Sequence, residues 1–98
     1  MQRERSLKLA ESLAGHDKGS IYVILQEDAE MVSLADGRKR PLRRPKRKKQ
    51  KHIRVLNDLA ERDEIKKLLQ SPIRSDGDLV HLVRMAGRVL MEENCPED

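Results

Sequence analysis

Phenylalanine and tryptophan are absent from this 98-residue chain, and Tyr22 is its only aromatic residue. Proteins that read single strands of nucleic acid by sequence usually stack the bases on aromatic side chains. That mode of recognition is not expected here, and Tyr22 reads as a core residue rather than a stacking platform. Burial must fall to aliphatic side chains. A chain of this length buries only about 60 to 65% of the surface it exposes when unfolded. With 37% hydrophobic against 39% charged residues, the core is expected to be small and the stability modest. Cysteine is confined to Cys95, so the chain has no internal disulfide framework. His16, His52 and His81 are too scattered to form a Cys/His cluster at zinc spacing. No catalytic or metal-ligating constellation emerges, and neither enzymatic activity nor a cofactor is expected. No stretch approaches 18 apolar residues, and the first residues carry no apolar run with a small-residue cleavage site. Neither a membrane span nor a secretory leader is therefore expected, and a reducing cytoplasm is the expected location.

Acidic residues are missing from a whole window. Between Arg38 and Arg54, 11 of 17 residues are Lys or Arg and none is Asp or Glu: Arg38, Lys39, Arg40, Arg43, Arg44, Lys46, Arg47, Lys48, Lys49, Lys51 and Arg54. The net charge of +4 hides this asymmetry. Residues 1–56 carry 15 basic against 7 acidic residues, or +8, while residues 57–98 carry 6 against 10, or −4. Such a density of cations attracts phosphates and releases their condensed counterions, which gives salt-sensitive affinity with little sequence preference. The guanidinium groups suit bidentate phosphate contacts, so recognition is expected to rest on the backbone and the folded shape of RNA.

The spacing predicts a small β-rich unit first. A strand is expected around residues 7–13, then a tight polar loop, Gly15-His16-Asp17-Lys18-Gly19, whose backbone can approach a ligand. Ile21 to Leu25 is a β-branched and aromatic run, as in a strand covered on both faces. Met31 to Ala35 forms the next, and Asp36-Gly37 is the dipeptide favoured in a two-residue hairpin, with Arg38 to Leu42 returning antiparallel. Pro41 would place that last strand at an edge. Few short strands joined by tight turns suit a small bent barrel, ending near Arg44. Pro45 to Lys51 has no apolar residue to anchor it and reads as a solvated connector, or as an arm that orders on a partner. Gly15, Lys18, Gly19 and Ser20 do not make a nucleotide-binding loop, because Lys18 precedes the second glycine instead of following it.

Helices are expected beyond the barrel. Asp58 and Glu61 have capping-box spacing ahead of Ile65, Leu68 and Leu69, predicting a helix over 58–70 that Pro72 terminates. Ser75 and Asp78 repeat the spacing, and Leu79, Leu82, Val83, Ala86, Val89 and Leu90 form an apolar stripe on a second helix reaching about Glu93. Gly87 costs that helix about 1 kcal/mol relative to Ala, a cost that a close packing partner would offset. The stripe, with Met85 and Met91, reads as core, and alternatively as a docking surface for a protein. There is no internal repeat.

Three segments together resemble a known family: Ser12-Leu13-Ala14-Gly15-His16-Asp17-Lys18-Gly19, then Ala35-Asp36-Gly37 after a hydrophobic strand, then Pro45-Lys46-Arg47-Lys48-Lys49-Gln50-Lys51-His52. Over roughly residues 7–54 the chain is similar to the small bacterial KOW-domain RNA-binding proteins, relatives in turn of KOW-type archaeal and eukaryotic large-subunit ribosomal proteins. It departs from them at Ala10-Glu11, where a β-branched pair is usual, and at His16, where Arg is common. The resemblance implies an SH3-like (KOW) β-barrel at residues 1–44, mainly β with α overall, followed by a basic arm at 45–56 and a C-terminal helical region at 57–98. It also implies RNA contact, ribosomal RNA foremost, through Gly15 to Gly19 and the adjacent basic strand end, in a ribosome- or translation-associated role and without catalysis.

The residues expected to bind RNA are Gly15, His16, Asp17, Lys18, Gly19, Arg38, Lys39, Arg40, Arg43, Arg44, Lys46, Arg47, Lys48, Lys49, Lys51 and His52. The chain is expected to be monomeric when free, with no membrane partner and with its C-terminal helices open to a ribosomal protein. Two other readings are a protein-interaction adaptor built on the acidic helices, and a chromatin protein carrying Pro45 to Lys49 as a nuclear import signal.

Overall fold

A computed structural model describes the chain from Leu7 to Asn94; Cys95 lies outside the described residues. Five strands come first: β1 (Lys8–Ser12), β2 (Ile21–Glu27), β3 (Met31–Ala35), β4 (Lys46–Lys49) and β5 (Ile53–Val55), the last two joined by one 3₁₀ turn at Gln50–His52. Helices α1 (Asn57–Ala60), α2 (Asp63–Gln70) and α3 (Asp76–Asn94) follow. No helix is long and apolar enough to cross a membrane among the described residues.

The strands form one antiparallel sheet in the order β4-β3-β2-β1-β5. β4 and β5 therefore occupy opposite edges, yet only the turn at Gln50–His52 lies between them. In a flat sheet those edges would be about 19 Å apart, whereas three residues of 3₁₀ helix rise only about 6 Å. The sheet must curl until its edges approach, as a half-barrel. A bulge in β2 between Ile24 and Gln26 assists by adding twist. Leu13 N donates to His52 O at 2.8 Å, which carries the β1–β5 ladder one pair further, into the 3₁₀ turn.

Alternation along the strands sorts the side chains into two clusters. Ala10, Tyr22, Ile24, Val32, Leu34 and Ile53 pack together on one face. Leu9, Val23 and Ala35 belong to the other cluster, where they meet Leu56 and Leu59, Ile65 and Leu69 of α2, and Leu79, Leu82, Ala86 and Val89 of α3. Sheet and helices thus share a core. The clean alternation of Leu9 and Ala10, then of Tyr22, Val23 and Ile24, is what the strand period demands when both faces are covered.

Residues 36–51 depart from expectation. No strand forms at 38–42, and the hairpin expected at Asp36-Gly37 is replaced by a longer loop. The Asp36 carboxylate accepts the amides of Arg38 at 2.9 Å and Arg40 at 3.0 Å, holding the backbone in a turn instead of releasing it into a ladder. Leu42 N donates to Asp76 Oδ1 at 2.8 Å, tying the loop to the start of α3. The strand that returns against β3 is the basic run itself, with Leu34 opposite Lys46 and Met31 opposite Lys49. Pro45 to Lys51 is not a solvated arm, and the sheet does not end near Arg44. Lys46 and Lys48 turn inward where long aliphatic stems can lie along apolar surface, while Arg47 and Lys49 face solvent.

The helix expected over 58–70 is two helices. Leu59 and Ile65 are both buried, but six residues of α-helix separate them by about 240°, so one straight helix cannot deliver both to one core. The chain breaks at Arg62, whose ψ of 137° is extended, and the capping box expected at Asp58 and Glu61 is not made, since Leu56 takes the cap position without a side-chain bond. At α3 the reading holds. Asp78 N donates to Ser75 Oγ at 3.3 Å, and Ser75 N to Asp78 Oδ2 at 3.2 Å. Its stripe is core, with Val83, Met85 and Leu90 half-buried beside it, but Met91, expected in the same stripe, is 73% exposed and lies off the core. Gly87 is different. A Cβ there would meet nothing within 4 Å, so no packing partner offsets the helix cost. Gly87→Ala is expected to raise stability by about 1 kcal/mol, read as a higher urea midpoint at unchanged slope; a lowered midpoint would contradict an open flank.

Candidate functional site

The glycine loop between β1 and β2 is a compact turn, with Gly15 at φ 87° and Gly19 at φ 90°. Its centre is Asp17, and that carboxylate faces inward. Asp17 Oδ2 accepts from Tyr22 Oη at 2.7 Å and from Lys46 Nζ at 2.6 Å. Oδ1 accepts from Ser12 Oγ at 2.9 Å and from Lys48 Nζ at 3.1 Å. Lys48 Nζ also reaches Ser12 Oγ and Ala14 O, both at 2.9 Å. The group is largely shielded, with the Lys48 side chain 10% and the Asp17 side chain 14% exposed. Ala10, opposite Tyr22 in the β1–β2 register, leaves room for the ring on the inner face.

Electrostatics follow from that geometry. Burial alone pushes the Asp17 carboxyl up, but the hydrogen bonds from Lys46, Tyr22, Lys48 and Ser12 outweigh it and hold the group well below the usual carboxylate range. Burial and the bond to Asp17 push the Tyr22 hydroxyl well above its ordinary value. Asp17, Lys46 and Lys48, expected to contact RNA, instead make an internal ion cluster that joins the loop to β4. Sequence reasoning missed this because the partners stand 29 and 31 residues apart. The available signal was the acid itself, out of place in a loop that would face a polyanion.

The remaining cations divide by location. Arg54 pairs with Glu11 at 2.6 Å and Arg47 lies 3.6 Å from Asp28, whose carboxyl is held below its ordinary range by the amides of Met31 and Glu30. Arg38, Lys39, Arg40, Arg43 and Arg44 are all exposed on the loop between β3 and β4. None of these five side chains makes an ion pair or hydrogen bond among the described residues. Their backbone is nevertheless fixed, by Asp36 at one end, by Asp76 on Leu42, and by Arg44 N donating to Pro41 O at 2.9 Å. A fixed loop bearing unpaired cations loses little conformational freedom when an anion binds.

Lys49, the last residue of β4, and Lys51, in the 3₁₀ turn, flank a hollow of about 400 Å³ with Ala29, Glu30 and Gln50. Gln50 is held there by its amide to Glu30 O at 2.8 Å and by its side chain to Asp28 O. His16 and Lys18 are exposed on the glycine turn, and His52 is half-buried in the 3₁₀ turn. The structure thus brings the glycine turn, β4 and the 3₁₀ turn together where the two edges of the curled sheet approach. The cationic loop enters β4 at Lys46, whose ammonium lies on Asp17. No family model matches this chain, and no curated protein matches it in sequence.

Proposed function

We propose that this protein is a non-catalytic binder of structured RNA, ribosomal RNA foremost, acting with the ribosome or in translation in the cytoplasm, and that its curled sheet is an SH3-like barrel of the KOW type. The observation that carries this reading is the loop at 38–44: five unpaired, exposed cations on a backbone pinned at Asp36 and Asp76. Four of the five are not interchangeable with lysine, because Arg38, Arg40, Arg43 and Arg44 can each present a planar fork to a phosphate. Tyr22, the one aromatic residue, is 4% exposed, so bases find no stacking platform. What is left to recognise is phosphate position, which favours folded RNA of defined shape over an extended strand. Lys49 and Lys51 supply further positive charge at the other end of β4. The adaptor reading lacks comparable support, since Leu79, Leu82, Ala86 and Val89 are buried in the core.

The test is binding of a folded ribosomal RNA fragment and of a duplex DNA control from about 50 to about 300 mM salt. The native chain is compared with a variant carrying Ala at Arg38, Lys39, Arg40, Arg43 and Arg44. Each phosphate neutralised contributes about 0.7 to 0.9 to the slope of log K against log salt. Losing five contacts should flatten that slope by about 3.5 to 4.5, with RNA preferred over DNA by the native chain. An unchanged slope in the variant, or equal affinity for duplex DNA, would overturn the reading.

A further inference from the structure

The helical side of the cationic loop carries a second set of unpaired guanidiniums. Arg38, at the loop's entry, and Arg84, on α3, flank one groove of about 230 Å³ whose remaining lining is Asp36, Val80 and Val83. Neither guanidinium has a partner among the described residues. Both valines are half-buried, so the floor is apolar while the two walls are cationic. The acid in the lining is turned to its own loop, Asp36 Oδ1 accepting the amides of Arg38 and Arg40; it keeps its charge, and against the two guanidiniums the lining is net +1. The acids of the first turn of α3 are engaged likewise, Asp76 Oδ1 with Leu42 N at 2.8 Å, and Asp78 Oδ2 with Arg74 N at 2.8 Å and Ser75 N at 3.2 Å.

Arg88 is also exposed, four residues beyond Arg84, and so lies on the same helix edge about 6 Å further along the axis. His81, exposed three residues before Arg84, continues that edge. Although residues 57–98 are net acidic, the edge of α3 that borders the cationic loop is basic.

We propose that this groove is a phosphodiester subsite that carries the RNA surface from the loop onto α3. One backbone phosphate sits between Arg38 and Arg84, its ribose lies on Val80 and Val83, and the neighbouring phosphate meets Arg88. Cationic walls with an apolar floor match a sugar-phosphate unit, which is charged on one side and largely carbon on the other. The inference rests on the RNA reading above and extends it to a segment that composition alone sets against nucleic acid.

The experiment uses the same RNA fragment and salt series with an Arg84→Ala, Arg88→Ala double variant. A Lys66→Ala, Lys67→Ala variant on α2, also at exposed positions, removes the same charge elsewhere. Loss of two phosphate contacts flattens the salt slope by about 1.4 to 1.8 and weakens binding near 150 mM salt by roughly 15- to 30-fold. The α2 control should keep the native slope, and thermal melts should show both variants folded. If the α3 variant matches the α2 control while the loop variant still loses its share, the subsite is overturned and the RNA reading stands. If the native chain shows no salt-dependent RNA binding, both fall. If polyglutamate competes at the groove as well as RNA does, the groove is a general anion site and the RNA assignment fails.

Discussion

Asp17→Asn is expected to cost about 3 to 5 kcal/mol, the range found when one partner of a buried ion pair is removed. That is a large part of the roughly 5 to 15 kcal/mol that holds a domain of this kind together. The substitution keeps the shape but leaves two ammonium groups, Lys46 and Lys48, facing a neutral amide. Lys48 is the more exposed to this loss, since its side chain is only 10% accessible against 24% for Lys46, and water cannot replace the missing charge. Screening, which makes surface pairs nearly worthless, has little access here. The measurement is urea unfolding of Asp17→Asn, Lys48→Met and the double variant. The double variant should lose clearly less than the two single losses combined, because it leaves only Lys46, the more accessible of the two ammonium groups, without its partner. A loss under about 1 kcal/mol for Asp17→Asn would mean that the carboxylate is solvated and the cluster does not close the sheet.

The same cluster sets how stability responds to pH. In the unfolded chain an aspartate titrates near 3.9, while in the folded protein Asp17 is held well below that. Its contribution is therefore complete at neutral pH, begins to fade as pH falls through about 4, and keeps fading toward the lower folded value, because the unfolded state takes up the proton first. Tyr22 gives the opposite limb. Its folded pKa is raised above the ordinary value of about 10, so its contribution is present below about pH 10 and is lost as pH climbs above that. Thermal melts of the native protein should fall off at both extremes, and Asp17→Asn should flatten the acid limb.

The first three strands were legible because apolar residues alternate or cluster in them, and α3 because Ser75, Asp78 and the stripe from Leu79 to Leu90 all agree. β4 was not legible. Lys46 to Lys49 has neither β-branched residues nor any apolar one, and nothing local distinguishes such a run from a solvated tail. It becomes a strand because its inward lysines find Asp17 and Ser12, which is a tertiary fact. For the proposed RNA reading the consequence is a redistribution: Lys46 and Lys48 are spent on Asp17, and the loop at 38–44 carries the cations that remain unpaired. The pairing of Arg38 with Arg84 across one groove was equally hidden, since the two are 46 positions apart in the chain and only the docking of α3 beside the loop brings them together. The break at Arg62 could have been read, because the phase between Leu59 and Ile65 already forbids a continuous helix facing one core.

Gly37→Ala is expected to destabilise the protein by about 3 kcal/mol, a second large effect with a separate cause. Gly37 has φ 84°, where an L-residue costs about 1 to 2 kcal/mol. A Cβ at Gly37 would also lie 2.4 Å from the Asp76 carbonyl oxygen, 2.9 Å from Val80 Cγ2 and 3.0 Å from Leu79 Cβ. The first of these is backbone in the first turn of α3, so relief requires the helix and the loop to move apart, at the roughly 1 to 3 kcal/mol typical of overpacking. Gly19→Ala separates the two terms. Gly19 has φ 90°, yet a Cβ there meets nothing within 4 Å, so only the conformational cost of about 1 to 2 kcal/mol should appear. Urea unfolding of the two variants side by side reads the difference directly, and equal losses would mean that the loop is not pressed against α3. The larger loss at Gly37 would show that the contact holding the cationic loop in place is the one that Asp36-Gly37 makes with the helix. The dipeptide that reads as a hairpin turn in the sequence would then be what fixes the loop's arginines in place, as the proposed RNA reading requires.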